Sequence, residues 1–499
     1  MKISRRTMVL GLASAAAAGL TDSRLTTSEA SGDALRTGPH PLKIPPLDKG
    51  ELKDGVRVYG LNMQKGISQF FEDVETPTLG INGDYLGPTL RMVAGETVQM
   101  NVTNNIGDTS SMHWHGMHVP ADQDGGPHQL IKNGGQWRAE FEVKQHASTF
   151  WYHSHVMGKT GSQVYHGLAG VIIVEDEEAN GLGLPQNYGV DDIPLILQDR
   201  KFNDDGSFDY SLGMHEQMMG ITGDTMLVNG TLHPYFEATS NSLRLRLLNA
   251  SNSRIYEMKF DDGRRFHQIA SDGGLLEKPV EVASLTLSPG ERAEIIVDLS
   301  SGEPVALISR TPATKEFFGD MTQMREGGNE AFKLLDIIPS TRRTLAAKLP
   351  EKLTTLEGVD ESVSIKTRTF NLDMGTGFGM MLGREGSNMT INGKSMDMMR
   401  IDEVVKLGTT EVWHIVNPSF EAHPFHVHDV QFRILDRDGR LPIETETGLK
   451  DTVLIPSKGS VRLLLSFRDY ADPDTPYMYH CHNLEHEDAG MMGQFTVVA

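Results

Sequence analysis

The 499-residue chain holds a single cysteine, Cys481. No intrachain disulfide can form, so the fold must be held by packing, and the thiol is left as core filler, a nucleophile or a metal ligand. Basic residues are scarce, 46 against 67 acidic ones, and the net charge of −21 argues against a nucleic-acid partner. It favours neutral or cationic small molecules instead. Beyond the first twenty residues no apolar run is long enough to cross a bilayer, so the mature protein is expected to have no membrane span. Helical periodicity is weak almost everywhere. A chain of this length exceeds one ordinary core, and about three domains are expected.

The N-terminus supplies an address. Ser4-Arg5-Arg6-Thr7-Met8-Val9-Leu10 is a twin-arginine pattern leading into an Ala- and Gly-rich apolar run at 8–20, too short for a stable anchor. It reads as a cleaved export signal, with the mature chain beginning between Ala18 and Gly38. The expected partner is the twin-arginine export machinery, and the expected location is the periplasm of a bacterial-type envelope.

A repeat organises the remainder. Ile81-Asn82-Gly83, Val228-Asn229-Gly230 and Ile391-Asn392-Gly393 recur, each followed by a polar connection and an alternating strand that ends near an Asn. Alternation with Gly, Asn and Pro punctuation predicts short antiparallel strands in sandwiches or barrels. The expected fold class is therefore all-β, in three related domains. The boundaries are placed at 1–38 for the signal and N-terminal segment, then 39–178, 179–342 and 343–499, with linkers near 175–192 and 340–362.

Nineteen histidines include four His-x-His pairs: His113/His115, His153/His155, His426/His428 and His480/His482. Random placement would give about 0.7 such pairs, so four are not scatter. On a strand, residues i and i+2 share a face, and each pair offers two imidazoles side by side. Two pairs come from the first repeat and two from the third, which predicts a shared site between those domains. If 480–482 is extended, both histidines face one way and the Cys481 thiol the other. One thiolate, two imidazoles and a distant thioether favour copper as an electron-transfer centre. His486 and Met491 supply one imidazole and the thioether, and His423 is the candidate for the second imidazole. Zinc would call for several cysteines, or for a three-ligand site too small for the imidazoles that remain.

The segments His113-Trp-His115-Gly116, His153-Ser-His155, His423-Pro-Phe-His426-Val-His428 and His480-Cys481-His482-x₃-His486-x₄-Met491 resemble, in order and placement, the four copper-binding motifs of the multicopper oxidases. Asp124-Gly-Gly-Pro127, Gly158-Lys-Thr-Gly161, Ala270-Ser-Asp-Gly-Gly274 and Leu449-Lys-Asp-Thr-Val453 extend the likeness toward the bacterial periplasmic copper-efflux oxidase and laccase branch. The resemblance implies three cupredoxin-like Greek-key domains and four copper ions. A blue type 1 copper would be held by His423, Cys481 and His486 with Met491 axial, and a type 2 copper by His113 and His426. A type 3 pair would take His115, His153, His155, His428, His480 and His482. It also implies O₂ as the acceptor, reduced to water with four electrons, and Glu487 and Asp124 as carboxylates that carry protons.

The electron donor is less sharply marked. The copper-efflux branch carries a long Met/His-rich insertion, whereas Asp373–Arg384 here is short, with Met374, Met380 and Met381; Met389, Met396, Met398 and Met399 follow. Thioethers suit Cu(I), but they also fill cores. The acidic and Met positions that the branch places before the blue-site histidine are Ser419 and Glu421 here. The expectation is a monomeric oxidase of phenols and aromatic amines, with some Cu(I) oxidation. The alternatives are a dedicated cuprous oxidase and, from another class, a copper carrier without turnover.

Overall fold

The structure, a computed structural model, describes residues 38–310, 331–345, 347–374 and 389–499. The twin-arginine segment, Met380 and Met381 lie outside them. Strands dominate and form three pairs of sheets. One pair is built from strands between Leu47 and Glu175, one chiefly from strands between Asp192 and Thr344, and one from strands between Ser364 and Val498. The short strand His40–Pro41 joins the second set by pairing with Pro234–Ser240. Each pair closes on its own apolar core. Val98, Met100, Phe150 and Ile172 meet in the first, Leu195, Leu245, Met258 and Leu335 in the second, and Trp413, Leu463, Phe425 and Phe495 in the third.

The Asn-Gly repeat has a structural cause. Asn82, Asn229 and Asn392 have φ of 56°, 52° and 54°, a left-handed conformation that Asn tolerates better than most residues. Each ends a strand with the same clasp. Its backbone N–H donates to the carbonyl of Asn62, Ile196 or Asn371, and its side-chain oxygen accepts from the N–H of that same residue.

Burial patterns show which faces are covered. Ser460–Phe467 alternates strictly between buried and half-buried positions, as a sheet with one wet face should. Asp192–Arg200 and the first six residues of Ala169–Glu175 are buried on both faces. The reason is a satellite core in which Ala169, Val171 and Ile173 pack with Ile196, Leu248 and Trp151. It joins the first two sandwiches directly behind the histidine-bearing strand Ser148–His153.

Two local details depart from expectation. The strand that carries Cys481 spans Asp472–Cys481 and stops there, so His482 lies just past its end. Glu487 sits on a short helix, Leu484–Asp488, in a chain whose pattern shows little helical periodicity. Asn483 starts the helix: its side chain accepts from the His486 N–H and caps it.

Candidate metal centre

Two strand pairings assemble the histidines. His113–His115 runs antiparallel to Ser148–His153, setting His113 opposite His153. His423–Val427 runs antiparallel to Asp472–Cys481, setting His426 opposite His480 and Phe425 opposite Cys481. All eight histidines of the four pairs are buried, and they meet across the first and third sandwiches.

Their nitrogens form compact sets. The Nε2 atoms of His155, His428 and His480 stand 3.2 Å apart in all three pairs. His115, His153 and His482 form a second set, and His113 and His426 a third that shares His115, each with donor atoms within 4.8 Å of one another. Trp151 backs the second set, its ring 4.1 Å from that of His153, 5.1 Å from His115 and 5.5 Å from His482.

Outer nitrogens are fixed by acceptors that demand a proton. His113 Nδ1–H donates to the Asp124 carbonyl (2.9 Å), His153 to Ser154 (2.8 Å), His426 to Asp451 (2.8 Å) and His480 to Cys481 (3.1 Å). His428 Nδ1–H donates to the Asp124 carboxylate at 2.7 Å. These bonds turn the Nε2 lone pairs inward. Burial, reinforced by neighbouring imidazoles, holds His115, His153, His155, His426 and His428 well below the ordinary histidine pKa, so the rings are neutral. Among the described residues, His113 Nε2, His426 Nε2 and both nitrogens of His482 have no hydrogen-bond partner. A buried orphan acceptor costs about 1–3 kcal/mol, so several aimed at one space fit metal coordination and little else.

On the opposite face of the strand, Cys481 Sγ lies 3.4 Å from His423 Nδ1 and 3.7 Å from His486 Nδ1, and those two nitrogens are 3.2 Å apart. His423 Nε2–H donates to Ser419 Oγ at 2.9 Å and His486 Nε2–H to the Met218 carbonyl at 2.8 Å, so both Nδ1 lone pairs face the sulfur. Burial depresses the His486 pKa to about 4 and raises that of the thiol, which therefore ionises only with a cation beside it. Met491 is tied to both ligand segments, donating its N–H to the His486 carbonyl (2.9 Å) and accepting from the Cys481 N–H (3.0 Å). It packs in the same core as Cys481, whereas Met492 stands opposite His480 in the sheet register and so shares the histidine face.

The two carboxylates singled out from the sequence are buried at the histidine sets. Glu487 lies between His155 Nδ1 (3.3 Å) and His480 Nδ1 (3.2 Å), with neither oxygen angled into a hydrogen bond among the described residues. Asp124 bridges His428 Nδ1 and, at 3.4 Å, His113 Nδ1. Met374 and Met389 belong to the third core, which assigns them to packing, and Met399 is 92% exposed.

Sequence reasoning missed what the second sandwich contributes. The Met218 carbonyl comes from the helix Met214–Met219, and a backbone contact leaves no sequence signal. Asp451 and Asp272 stood inside motifs that had been noted without a role for either. Ser419, read only as the loss of a family residue, holds His423.

Multicopper oxidase family profiles match residues 62–179 and 365–499, the stretches that carry every histidine of the site. The chain is 36% identical over 458 residues to the multicopper oxidase Mco of Staphylococcus aureus, covering 90% of this chain and 91% of that protein. It is 34% identical to the cell division protein FtsP of Escherichia coli over 491 residues, 95% and 98% of the two chains. Among solved structures, a bacterial laccase-like multicopper oxidase, CueO from Ochrobactrum, superposes with a TM-score of 0.84 at 37% identity, over 92% of this chain and all of that one. With three cupredoxin-like domains and clustered buried histidines that suit copper, this chain belongs to the multicopper oxidase family.

Proposed function

We propose that the protein couples one-electron oxidation of a small reductant to four-electron reduction of O₂ to water. One observation carries this reading: Cys481 faces His423 and His486, while its covalent neighbours His480 and His482 belong to two of the histidine sets. Electrons taken up at a copper held by the cysteine site would therefore reach the histidine cluster mainly through bonded backbone. His423, Cys481 and His486, with the Met491 thioether, would hold a type 1 copper, His113 and His426 a type 2 copper, and the remaining six histidines a type 3 pair. Bound copper supplies one-electron acceptance at the first site and collective electron delivery to O₂ at the second.

The chain's own groups do the rest. Hydrogen bonds to Asp124, Ser154, Asp451 and Cys481 hold the imidazoles in the tautomers that expose inward lone pairs. Glu487 and Asp124 touch cluster imidazoles from outside and are the groups placed to move protons. A scaffold role, the reading suggested by the cell-division relative, gives no reason for buried donor atoms left without hydrogen bonds. A carrier gives no reason for eight histidines in three interlocking sets. We place the mature protein in the periplasm, exported by the twin-arginine route, as a monomer.

The Met491 assignment has a direct check. Met491→Leu should keep the type 1 copper and raise its reduction potential, because loss of a thioether destabilises Cu(II) more than Cu(I). Met492→Leu should leave the potential where it was. A potential that moves only in the Met492 variant would reverse the assignment.

For the donor, we propose phenols and electron-rich aromatic amines, in line with the activity of the Ochrobactrum relative towards lignin model compounds. Cu(I) is the second reading, favoured by the soft side chains Met214, His215, Met218 and Met219 on the helix whose carbonyl meets His486. Steady-state kinetics on a dimethoxyphenol and on Cu(I), with and without excess Cu(II), separates the two. Phenol turnover without added copper is expected; strict dependence on added Cu(II) would make the helix a copper-collecting cover.

A further inference from the structure

We infer that the second domain, which supplies none of the assigned copper ligands, sets the orientation of one of them: Arg292 and Asp451 fix the proton of His115 on Nε2 and make Nδ1 its ligand atom. The inference rests on the proposed copper assignments and extends them to residues that touch no metal.

His115 is reversed relative to its neighbours. Five other rings of the cluster donate from Nδ1 and turn Nε2 inward. In His115 it is Nε2 that faces an acceptor, Asp451 Oδ1 at 3.1 Å, while Nδ1 points to the cluster, 3.4 Å from His153 Nε2. Thr452 Oγ1 also lies 3.1 Å from His115 Nε2, but it donates its own proton to Asp451 Oδ1 at 2.9 Å, which reinforces that carboxylate as the acceptor.

A buried carboxylate can hold a ring this way only if its own oxygens are fixed, and Arg292 fixes them. Its side chain is fully buried, and both ends of its fork meet Asp451 at 2.6 Å. The remaining N–H groups go to the carbonyls of Thr149 (3.0 Å), Gly290 (3.1 Å) and Asp272 (2.9 Å). All five guanidinium donors are thereby used, on residues from all three sandwiches. Lysine offers the charge but not this planar fork. The packing leaves no slack: a Cβ on Gly116 would lie 2.4 Å from Asp451 Oδ2 and 2.7 Å from Arg292 Nη2. Asp451 also holds His426 through its backbone carbonyl, and the rings of His115 and His426 stack at 3.7 Å. One residue of the third domain, anchored by one of the second, thus aligns two adjacent rings.

Asp451 and Arg292 are positioning residues, and the test must read position as well as activity. In copper-loaded Asp451→Asn, the amide keeps the shape but loses the charge that favours an Nε2 proton on His115. We expect the blue absorption at wild-type intensity, with cluster copper surrendered to a chelator about 10–100-fold more readily. In histidine-¹⁵N spectra of the fully reduced, diamagnetic protein, wild type should show one cluster ring protonated at Nε2, and Asp451→Asn should lose that signal. Arg292→Lys should fall between the two. Wild-type copper retention with the Nε2–H ring intact in both variants would overturn the inference, as would a wild-type spectrum with no such ring. If wild type itself bound no copper, the functional reading would fail instead, and the metal-free spectrum would still report where His115 carries its proton.

Discussion

Cys481→Ser is expected to abolish the intense blue absorption and donor oxidation while leaving copper at the histidine cluster. The colour of a type 1 site comes from charge transfer between thiolate and Cu(II), and a serine hydroxyl has neither the softness nor the acidity to replace it. Cys481 is the chain's only thiol, so no other residue can substitute. The mutation is local. Sγ faces His423 and His486, away from the eight histidines, and Cys-to-Ser changes volume little. Its structural cost is one small buried hydroxyl among apolar neighbours such as Phe425 and Met491, a modest burden for a domain with so large a core. Three coppers per chain with no blue band is the expected composition. A blue band that survives the mutation would remove Cys481 from the type 1 site.

Glu487→Gln should separate electron uptake from O₂ reduction. In the proposed reaction, reducing O₂ to water would consume protons inside a buried pocket whose imidazoles are neutral and would be engaged as ligands. Glu487 is fully buried and stands 3.3 Å and 3.2 Å from the outer nitrogens of His155 and His480, two of the three rings whose Nε2 atoms form the 3.2 Å triangle. A carboxylate there can give and take a proton, whereas an amide of the same shape cannot. Copper content, blue colour and anaerobic reduction at Cys481 should stay near wild type. Reoxidation of the fully reduced protein by O₂ should slow by about 10²–10⁴ if this carboxylate is the main donor. Asp124→Asn should slow it less selectively, because Asp124 also fixes the His428 ring. Stopped-flow reoxidation at the wild-type rate in Glu487→Gln would leave that residue no part in proton delivery.

What could be read in the sequence was whatever local periodicity encodes. The His-x-His pairs announce same-face imidazoles because extended backbone alternates, and the face opposite to theirs is where Cys481 points. The thrice-repeated Asn-Gly announces three related units because a left-handed strand end needs a residue such as Asn, and all three asparagines clasp the neighbouring strand alike. Contacts between units left no such trace. The Met218 carbonyl on His486 is backbone and indifferent to residue type. Arg292 reaches Asp451 across 159 positions of chain, and nothing in the local pattern of either says they meet. The helix at Leu484–Asp488 was obscured by its brevity, since five residues cannot show a 3.6-residue period. Ser419 was read as a missing acid, yet its hydroxyl sets the His423 tautomer.

In the proposed function, the Cys481 site and the histidine cluster act together to take O₂ to water with four electrons. The measurement that meets it most directly is O₂ uptake against a counted one-electron donor in copper-loaded protein of known metal content, with peroxide assayed in parallel. The expected result is four coppers per chain, four donor molecules oxidised per O₂ consumed and no peroxide released. Two donors per O₂ with peroxide accumulating, or bound copper without O₂ uptake, would contradict it.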